Sequence, residues 1–503
     1  MVSRLFLALA LLTQLRAQVL TSQYDNARTN ATLHETILTP ANVNAKQFGK
    51  IFAFRVDGDV YAQPLFLPNV EVRGKGPLNV IYVATEHDSV YAFDATGAAG
   101  TALWHASFLK SGVETVPARD VRCGFISPEI GITPTPVIDL ASGTMYVLAR
   151  TKENGAYVQK LHALAITTGV EKFGGPVEIK APGFDPLREL PRAALLLSKG
   201  QVYLTWGSSC DVGPYHGWVM AYDAQKLSQT AVFNTSPDSE ESGIWQSDNG
   251  PAADAEGNVY VATGNGKFTV AAGGRDYGDS ALKLALTSAG LVVRDYFTPY
   301  NERMLNTQDA DLGSGGPMLL PDQPGEHPHL MLVGAKDAKL YLLDRDKLGR
   351  YRAGDNGNAV QVVKFRDGIY AAPAYWNGHV YLLPSSEELR DFSLDRGRLN
   401  TDSVRAGTQR FANAGANPTI SANGTRDGIV WVIESKTWNG GDKPAILHAY
   451  DAVNVSHEIY NSEQNSARDR VGSTLRFTVP TIVNGRVYVD AKGEIDVYGL
   501  LGH

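Results

Sequence analysis

The sequence predicts an all-β, eight-bladed β-propeller, and three observations lead to this fold class. A short β-branched and aromatic run returns eight times along the 503 residues, at intervals of about 50 to 70 residues. Other apolar strands with Gly, Asn or Asp at their turns flank each run, and helix signals are sparse. Four short antiparallel strands per unit, joined by polar turns, are typical of a propeller blade.

The eight runs are predicted to form the second strand of each blade. They are Val80 to Ala84, Met145 to Ala149, Val202 to Thr205, Val259 to Thr263, Leu330 to Gly334, Val380 to Leu383, Val430 to Ile433 and Val487 to Asp490. A third strand follows, often ending in Ala-x-Asp as at Ala92-Phe93-Asp94, and an edge strand usually completes the unit.

The last unit stops at Val497 to Leu500, one strand short of a full blade. Another strand, Phe48 to Val56, precedes the first blade without a unit of its own. We expect this N-terminal strand to complete the C-terminal blade, because closing the ring leaves no long sheet edge exposed. The propeller would then form one domain over residues 48–503, after an N-terminal extension over residues 18–47.

The N-terminus and the charge pattern indicate the compartment and exclude some partners. Arg4 precedes the apolar run Leu5 to Leu12, and the stretch ending at Ala17 is typical of a cleaved signal peptide over residues 1–17. We therefore expect a secreted or periplasmic protein. A net charge of -7 without a basic block argues against nucleic acid, and no apolar segment has the length of a membrane span.

Two cysteines occur, Cys123 and Cys210. In an oxidising compartment they can form a disulfide, but two buried thiols fit the sequence equally well. No Cys-x-x-Cys-His motif is present, so covalent c-type haem is not expected.

Strand direction predicts which loops form a functional face. In an antiparallel meander, the ends of the second strands and the starts of the first strands lie on the same side of the ring. Polar and aromatic residues at these positions include His87, Lys152, Asp211, His216, Asn265, Lys336, Glu434, Gln63, Glu129, Arg192, Trp245, Asp311, Tyr370 and Asn417. The long Gly-rich loop Thr263 to Asp279 also lies here, where binding sites are common.

The phrase Ala92-Phe93-Asp94-Ala95-Thr96-Gly97, followed by Trp104, resembles the tryptophan-docking repeat of quinoprotein propellers. A related phrase, Ala165 to Gly169, occurs in blade two. The repeat covers nearly the whole chain after residue 17. Non-catalytic propellers share it, so this resemblance implies the fold and not the chemistry.

Blades three to five resemble the pyrroloquinoline quinone-dependent alcohol dehydrogenases more specifically. Thr263-Gly264-Asn265 matches the phrase in which that family places an Asn ligand of calcium. Asp211 stands where the family has a Glu ligand, one methylene longer. Asp311, seven residues before Met318-Leu319-Leu320, matches the catalytic Asp, and Asp309 is the alternative in a shifted register.

Two further positions match residues that contact the quinone in that family. Lys336 precedes Leu343-Asp344-Arg345, as the family's basic residue does. Trp245 resembles the tryptophan that stacks on the quinone, although its distance to Thr-Gly-Asn is about two residues longer here. The family's ring of adjacent cysteines has no counterpart.

The resemblance implies an oxidoreductase that uses pyrroloquinoline quinone and calcium to oxidise an alcohol or a sugar. Asp211 and Asn265 would supply oxygen ligands to the metal, and Asp311 would accept the proton of the alcohol. Lys336 would bond to the quinone oxygens while Trp245 stacks on the ring. Electrons would pass to an external acceptor.

Two other functions also fit the sequence. The propeller could be a non-catalytic scaffold that binds a protein or a glycan, with Tyr215, Trp245, Tyr277 and Trp376 stacking on sugars. It could instead be a carbohydrate lyase or hydrolase without a cofactor. That chemistry would use His87, His216, Glu129 and Asp279 on the same face.

Overall fold

The side chains of each β-branched run point alternately to the two faces of a sheet. In the structure each run belongs to the second strand of its own blade. A computed structural model describes residues 17–247, 249–435, 443–473 and 475–502. Eight sheets form within these residues and make an eight-bladed propeller, as the repeat predicts. Residues 1–16 of the predicted signal peptide lie outside the described residues.

Blades one to four are built mainly from antiparallel strands. Blade one contains Leu65–Val72, Gly76–Thr85, Ser89–Asp94 and Trp104–Ser107. Blade two contains Val113–Pro117, Glu129–Ile130, Val137–Asp139, Thr144–Glu153, Ala156–Ala165 and Val177–Glu178. Blade three contains Glu189–Leu190, Leu196–Ser198, Gln201–Ser208, Trp218–Asp223 and Gln229–Asn234. Blade four contains Ala252–Ala253, Val259–Ala262, Ala281–Thr287, Gly290–Thr298 and the parallel strand Arg350–Tyr351.

Blades five to eight repeat the pattern. Blade five contains Pro317–Leu319, Leu330–Ala335, Lys339–Asp344 and Gln361–Lys364. Blade six contains Ala374–Trp376, His379–Leu382, Glu388–Asp395, Arg398–Leu399 and Arg405–Arg410. Blade seven contains Thr419–Asn423, Arg426–Glu434, Ile446–Asp451, Asn454–Asn461 and the parallel strand Ala31–Thr32. Blade eight contains Thr481–Val483, Arg486–Leu500 and Phe48–Asp59.

The N-terminal strand closes the ring, as the sequence predicts. Phe48–Asp59 pairs antiparallel with Arg486–Leu500, so that Phe48 lies opposite Leu500 and Asp59 opposite Lys492. Arg486–Leu500 also pairs with Thr481–Val483. The first and last parts of the propeller therefore share one sheet.

Neighbouring blades are joined by aromatic rings that pack on turn glycines. The ring of Trp104 in blade one lies against Gly169 of blade two, and its indole N–H donates to the Ile166 carbonyl at 3.0 Å. Phe52 of blade eight lies against Gly97 of blade one in the same way. Any side chain at these glycines would overlap the ring, so the Thr-Gly phrase of the repeat is a docking site between blades.

Residues 19–30 form a segment that hydrogen-bonds to the first strands of all eight blades, and we call it the hub. Its backbone carbonyls accept bonds from blade two at Ile138, blade four at Ala253, blade five at Leu319, blade six at Tyr375 and blade seven at Ile420. Val19 pairs with Phe66 of blade one. Side chains supply the other two connections: Asn26 donates to Leu197 of blade three, and the Tyr24 hydroxyl accepts from Ile482 of blade eight.

Arg28 is the fully buried centre of the hub. Its guanidinium donates to the Pro251 carbonyl at 3.0 Å, the Ser22 carbonyl at 2.8 Å and the Thr21 hydroxyl at 2.9 Å. A longer bond of 3.3 Å reaches Leu195. One side chain thus satisfies carbonyls of the hub and of blades three and four.

Helices are short in the described residues: Ala118–Val121, Glu302–Gln308 and Ser466–Asp469, with a 3₁₀ turn at Val270–Ala272. None of the helices that the structure describes has the length and apolar character needed to cross a membrane.

Candidate functional site

The predicted site residues follow the strands that the face argument selected. Asp211 comes after Gln201–Ser208 of blade three, Asn265 after Val259–Ala262 of blade four and Lys336 after Leu330–Ala335 of blade five. Asp311 precedes the first strand of blade five. The loops of three consecutive blades therefore deliver these side chains to the same mouth of the ring.

Asp311 is the centre of a hydrogen-bonded cluster and is 2% exposed. Its Oδ1 accepts the backbone N–H of Asn265 at 2.8 Å, and its Oδ2 forms an ion pair with the Lys336 ammonium. The Lys336 backbone N–H returns to the Asp311 carbonyl at 3.0 Å. These contacts hold both carboxylate oxygens in fixed directions.

Asp309 shares the partners of Asp311 from a more exposed position. Its Oδ1 lies 3.0 Å from the Lys336 ammonium and accepts the Asn265 side-chain N–H at 2.7 Å. The side chain of Asp309 is 63% exposed, against 3% for that of Asp311. Burial opposes the charged form of Lys336, but the two carboxylates outweigh it and raise the pKa of the lysine.

Asn265 has one oxygen that the described residues leave without a partner. Its side-chain N–H bonds to Asp309, whereas its Oδ1 is buried and has no hydrogen-bond donor. A buried carbonyl oxygen in this state costs free energy unless a donor or a cation meets it. Asn265 is thus suited to bind a cation through Oδ1.

Asp211 lies across the cluster from blade three. Its Oδ1 accepts the hydroxyl proton of Tyr215 at 2.6 Å. Burial of the carboxylate raises the pKa of Asp211 to about 6, the Tyr215 hydrogen bond opposes the rise, and the negative charges of Asp311 and Asp309 add to it. The surroundings therefore favour a positive charge near this carboxylate.

Trp245 packs against three glycines. A side chain at Gly207, Gly243 or Gly264 would lie at or below normal van der Waals contact distance from its indole. Tyr215 meets the ring edge-on, with 6.2 Å between the ring centres. Because these positions carry no side chains, the indole can lie flat against the backbone. Its ring N–H has no partner among the described residues.

Cys123 and Cys210 form a disulfide that links residues 87 apart in the chain. The sequence left this pairing open. Cys210 precedes Asp211 directly, and both residues have left-handed backbone angles with φ of 54° and 51°. The bond thus joins the loop after Val113–Pro117 in blade two to the turn that carries Asp211.

One cavity of about 290 Å³ connects these features. Its walls are formed by Cys123, Phe125, Ile126, Ile130, Leu190, Arg192, Ser208, Ser209, Cys210, Asp211, Trp245, Ser247, Asp309, Asp311, Ser314, Lys336, Tyr370, Arg476 and Phe477. Four of the five predicted site residues line it directly. The fifth, Asn265, backs onto it through its bonds to Asp309 and Asp311.

The sequence did not single out Phe125, Arg476 or Phe477, which also line the cavity. A positional signal existed for Phe477. It stands four residues before Thr481–Val483, as Arg192 stands before Leu196–Ser198 and Tyr370 before Ala374–Trp376. Residues at this offset before a first strand reach the same cavity in blades three, six and eight.

The four residues predicted for lyase or hydrolase chemistry have different surroundings. His87 Nδ1 lies 2.9 Å from Glu129 Oε1, which gives one His-carboxylate pair. His216 instead bonds to Ser236 at 3.1 Å, and buried Asp279 accepts the backbone N–H of Leu312 at 3.0 Å. None of the four is among the residues that line the cavity.

No protein-family sequence model matches this chain, and no curated protein matches it either. Solved structures do match. A quinohemoprotein alcohol dehydrogenase of Pseudomonas putida HK5 is 14% identical with a TM-score of 0.65, covering 97% of this chain and 80% of that one. The quinohemoprotein alcohol dehydrogenase of Comamonas testosteroni is 15% identical with a TM-score of 0.65, covering 96% and 80%. A europium-containing methanol dehydrogenase is 12% identical with a TM-score of 0.64, covering 96% and 98%.

At these identities the similarity applies to the fold. The chain has the propeller architecture of these alcohol and methanol dehydrogenases, two of which are named as quinohemoproteins.

Proposed function

We propose that this protein is a quinone-dependent oxidoreductase that binds pyrroloquinoline quinone and a metal ion and oxidises an alcohol or a sugar. One observation carries the proposal: Asp211, Trp245, Asp311 and Lys336 line a single cavity, and Asn265 is bonded to its wall. These residues come from separate loops and match the positions that the resemblance to quinone-dependent dehydrogenases assigns to the metal, the ring and the base. A common cavity is what a shared ligand requires.

The cavity suits a flat, polar ring. Trp245 offers one face of an indole that packs against glycines, and the Cys123–Cys210 disulfide adds polarisable sulfur atoms to the wall. Lys336 brings an ammonium group that can donate hydrogen bonds to ring oxygens. The family's disulfide lies between adjacent cysteines, whereas here two distant cysteines bring a disulfide to the cavity.

The oxygen donors suit a hard cation. Asn265 Oδ1 is buried without a partner, and Asp211 carries a carboxylate in a negatively charged setting. No group of three His, Cys, Asp or Glu side chains suited to a metal occurs in the described ranges. A cation would therefore take its ligands from oxygen atoms of Asn265, Asp211 and the quinone. Oxygen atoms are the ligands that calcium prefers.

The bound quinone would accept a hydride from the alcohol carbon. The protein's part is to remove the hydroxyl proton, and Asp311 Oδ2 is the base that we assign to it. Lys336 pairs with the same carboxylate, while the Asn265 N–H fixes the orientation of Oδ1.

The similar structures support the same proposal through their names, which are those of alcohol and methanol dehydrogenases. We extend the proposal to a secreted or periplasmic location and to an external electron acceptor. Both extensions rest on the N-terminal pattern and on the sequence lacking a haem-attachment motif.

Reconstitution tests the proposal. The purified protein is titrated with pyrroloquinoline quinone and Ca²⁺, binding is followed by quenching of tryptophan fluorescence, and dye reduction is then measured over a panel of alcohols and sugars. We expect saturable quenching that weakens in Trp245→Leu, followed by substrate-dependent dye reduction. If no quenching occurs at any quinone concentration, the proposal is wrong and a cofactor-free binding propeller becomes the better account.

A further inference from the structure

Asp279 ends the long loop that begins at Thr263, and the proposed chemistry does not use it. Its side chain is fully buried and is not among the residues that line the cavity. Its backbone φ is 44°, in the left-handed region that glycine adopts more easily than residues with a side chain. An aspartate in this conformation points to a role of its side chain that glycine could not fill.

The backbone of Asp279 fixes the start of its own loop. Its N–H donates to the Gly264 carbonyl at 2.8 Å, directly before Asn265. The neighbouring residues are paired as well: the Thr263 N–H donates to the Ser280 carbonyl at 2.9 Å, and the Thr263 hydroxyl accepts the Ser280 N–H at 2.9 Å. The two ends of the loop are thus joined, and Asn265 lies next to the point where they join.

The side chain of Asp279 reaches the neighbouring loop of blade five. Its Oδ1 accepts the backbone N–H of Leu312 at 3.0 Å, directly after Asp311. Leu312 is itself fully buried, so water cannot replace this acceptor, and a buried N–H without an acceptor is costly. Asp279 therefore connects the residue before Asn265 to the residue after Asp311.

These two bonds flank the contact between the proposed base and the proposed metal ligand. Asp311 Oδ1 accepts the Asn265 N–H at 2.8 Å, and a Cβ at Gly264 would overlap the same oxygen. With one bond on each side of this contact, Asp279 limits how far the two loops can separate. Such a limit matters for catalysis, because a displacement of about 1 Å at a reacting group can cost a large factor in rate.

The surroundings of Asp279 favour a neutral side chain. Burial raises the pKa of its carboxyl well above the ordinary value, and the negative charge of Asp311 adds to the rise. The charge of Asp337 acts in the same direction, whereas the Leu312 N–H and Lys336 oppose it. The Oδ2 atom is buried and has no hydrogen-bond partner in the described part of the chain. An asparagine, which is neutral and has the same acceptor oxygen, is therefore a close replacement.

We propose that Asp279 is a positioning residue that holds Asp311 against Asn265. Its backbone N–H binds the loop of blade four and its carboxyl oxygen binds the loop of blade five, so one residue fixes the relative position of both loops. The inference rests on the proposed function for its effect on turnover. The coupling of the two loops, in contrast, is a property of the protein without a cofactor.

Hydrogen–deuterium exchange at single-residue resolution measures this coupling on the complete protein, without quinone or metal. Asp279→Gly removes the side chain and suits the left-handed backbone, and Asp279→Asn keeps the acceptor oxygen. Asp427 is the matched control, with the same two substitutions, because it is exposed and has a φ of 57°. Circular dichroism establishes that each variant is folded. Dye reduction with pyrroloquinoline quinone, Ca²⁺ and an alcohol is then measured for each variant.

In the native protein we expect slow exchange of the Leu312 and Asn265 backbone N–H groups. Asp279→Gly should speed both by about tenfold or more, and Asn265 is the decisive position because its N–H bonds to Asp311 and not to Asp279. The kcat should fall by about 10- to 100-fold, with the KM for the alcohol within about twofold of the native value. Asp279→Asn should restore most of the protection and of kcat, and both Asp427 variants should match the native protein.

Fast, unprotected exchange of the Leu312 N–H in the native protein would overturn the inference, and this result needs no variant to fold. Native exchange at Asn265 in Asp279→Gly would overturn it too, as would an Asp279→Asn variant that loses as much as Asp279→Gly. The two proposals also fail separately. Faster Asn265 exchange in Asp279→Gly, without dye reduction by the native protein, contradicts the proposed function and leaves the positioning role in place. Native turnover that Asp279→Gly does not change does the reverse.

Discussion

The Asp311 carboxylate accepts the backbone N–H of Asn265 at 2.8 Å, and this bond joins the functional loops of two blades. Asn265 follows the second strand of blade four, whereas Asp311 precedes the first strand of blade five. The proposed base and the proposed metal ligand are therefore positioned by each other. A change at either residue should affect both binding and turnover.

Asp311→Asn should abolish most turnover and preserve the fold. The asparagine oxygen can still accept the Asn265 N–H, and Asp309 remains 3.0 Å from Lys336 to balance its charge. The variant lacks a basic oxygen, so kcat in the dye-reduction assay should fall by about 10²- to 10⁴-fold. Thermal unfolding should shift by only a few degrees.

Two other aspartates provide the controls for this experiment. Asp309→Asn tests the alternative register and should reduce kcat less than Asp311→Asn. Asp322→Asn, whose side chain is 78% exposed, should behave like the native protein. A larger loss in Asp309→Asn would transfer the role of base to Asp309, and near-native turnover in Asp311→Asn would remove Asp311 from the mechanism.

Gly264→Ala should disrupt the site through one methyl group. A Cβ at residue 264 would overlap Asp311 Oδ1 and lie 2.9 Å from the indole of Trp245. We expect weaker quinone quenching and lower kcat, together with a destabilisation of about 1 to 3 kcal/mol from overpacking. Gly124→Ala is the control because a Cβ there meets nothing within 4 Å. Equal behaviour of the two variants would contradict the close packing of Trp245 and Asp311.

Loss of the Cys123–Cys210 disulfide should lower stability and quinone affinity together. The bond closes a separation of 87 residues, and removing such a link costs about 2 to 5 kcal/mol of unfolding free energy. Cys123→Ser, Cys210→Ser and the double variant should have the same urea midpoint, because each lacks the same bond. If the double variant loses the sum of the single effects, the cysteines act separately and the bond does not form.

The fold could be predicted from the sequence because each blade repeats the same local pattern. A strand of alternating apolar residues and a Thr-Gly turn, as before Trp104, require only neighbouring residues to be recognised. The short last unit also revealed the closure by Phe48–Asp59. The hub could not be predicted, because residues 19–30 bind the blades largely through backbone carbonyls, which leave no pattern of side chains.

The candidate site was predictable to the extent that strand direction determines it. Asp211, Asn265 and Lys336 follow second strands, and the direction of those strands alone predicts their common face. The partner of Cys123 lies 87 residues away, and only the packing of blade two on blade three determines it. Arg476 could not be identified as a cavity residue, because its contact with Phe125 depends on how loops of separate blades pack together.

Arg28→Met should destabilise the whole propeller. The substitution keeps an unbranched apolar stem but leaves the Pro251 and Ser22 carbonyls and the Thr21 hydroxyl without their buried donor. Since each buried unsatisfied group costs about 1 to 3 kcal/mol, we expect a loss of several kcal/mol in chemical unfolding. Arg28→Lys keeps the charge but cannot reach all three acceptors, so its loss should be intermediate or equal.

Exposed Arg73→Met is the control for Arg28 and should leave the unfolding midpoint unchanged. A native-like midpoint in Arg28→Met would show that the Arg28 side chain is not needed to hold blades three and four together. In that case the backbone bonds of residues 19–30 would be sufficient by themselves.

Glu86 should make the protein less stable as pH rises. The residue is 1% exposed, its Oε2 accepts the Gly131 N–H at 2.8 Å, and its Oε1 has no partner in the described chain. Burial raises the pKa of Glu86 to about 8, from an ordinary value of 4.5, against the bonds from Gly131 and Thr133. Between these values the folded protein holds a proton that the unfolded chain releases, so rising pH favours unfolding.

Glu86→Gln should flatten this pH dependence because the amide cannot ionise. Urea unfolding at pH 5, 6.5 and 8 should give a native free energy of unfolding that falls by a few kcal/mol over this range, and a smaller fall in the variant. Asp88, whose pKa burial also raises, acts in the same direction and leaves part of the slope in place. The amide replaces one carboxylate oxygen with an N–H donor, so the slope and not the absolute stability is the measure. Exposed Glu71→Gln should keep the native slope, and parallel profiles for Glu86→Gln and the native protein would mean that Glu86 is already ionised when folded.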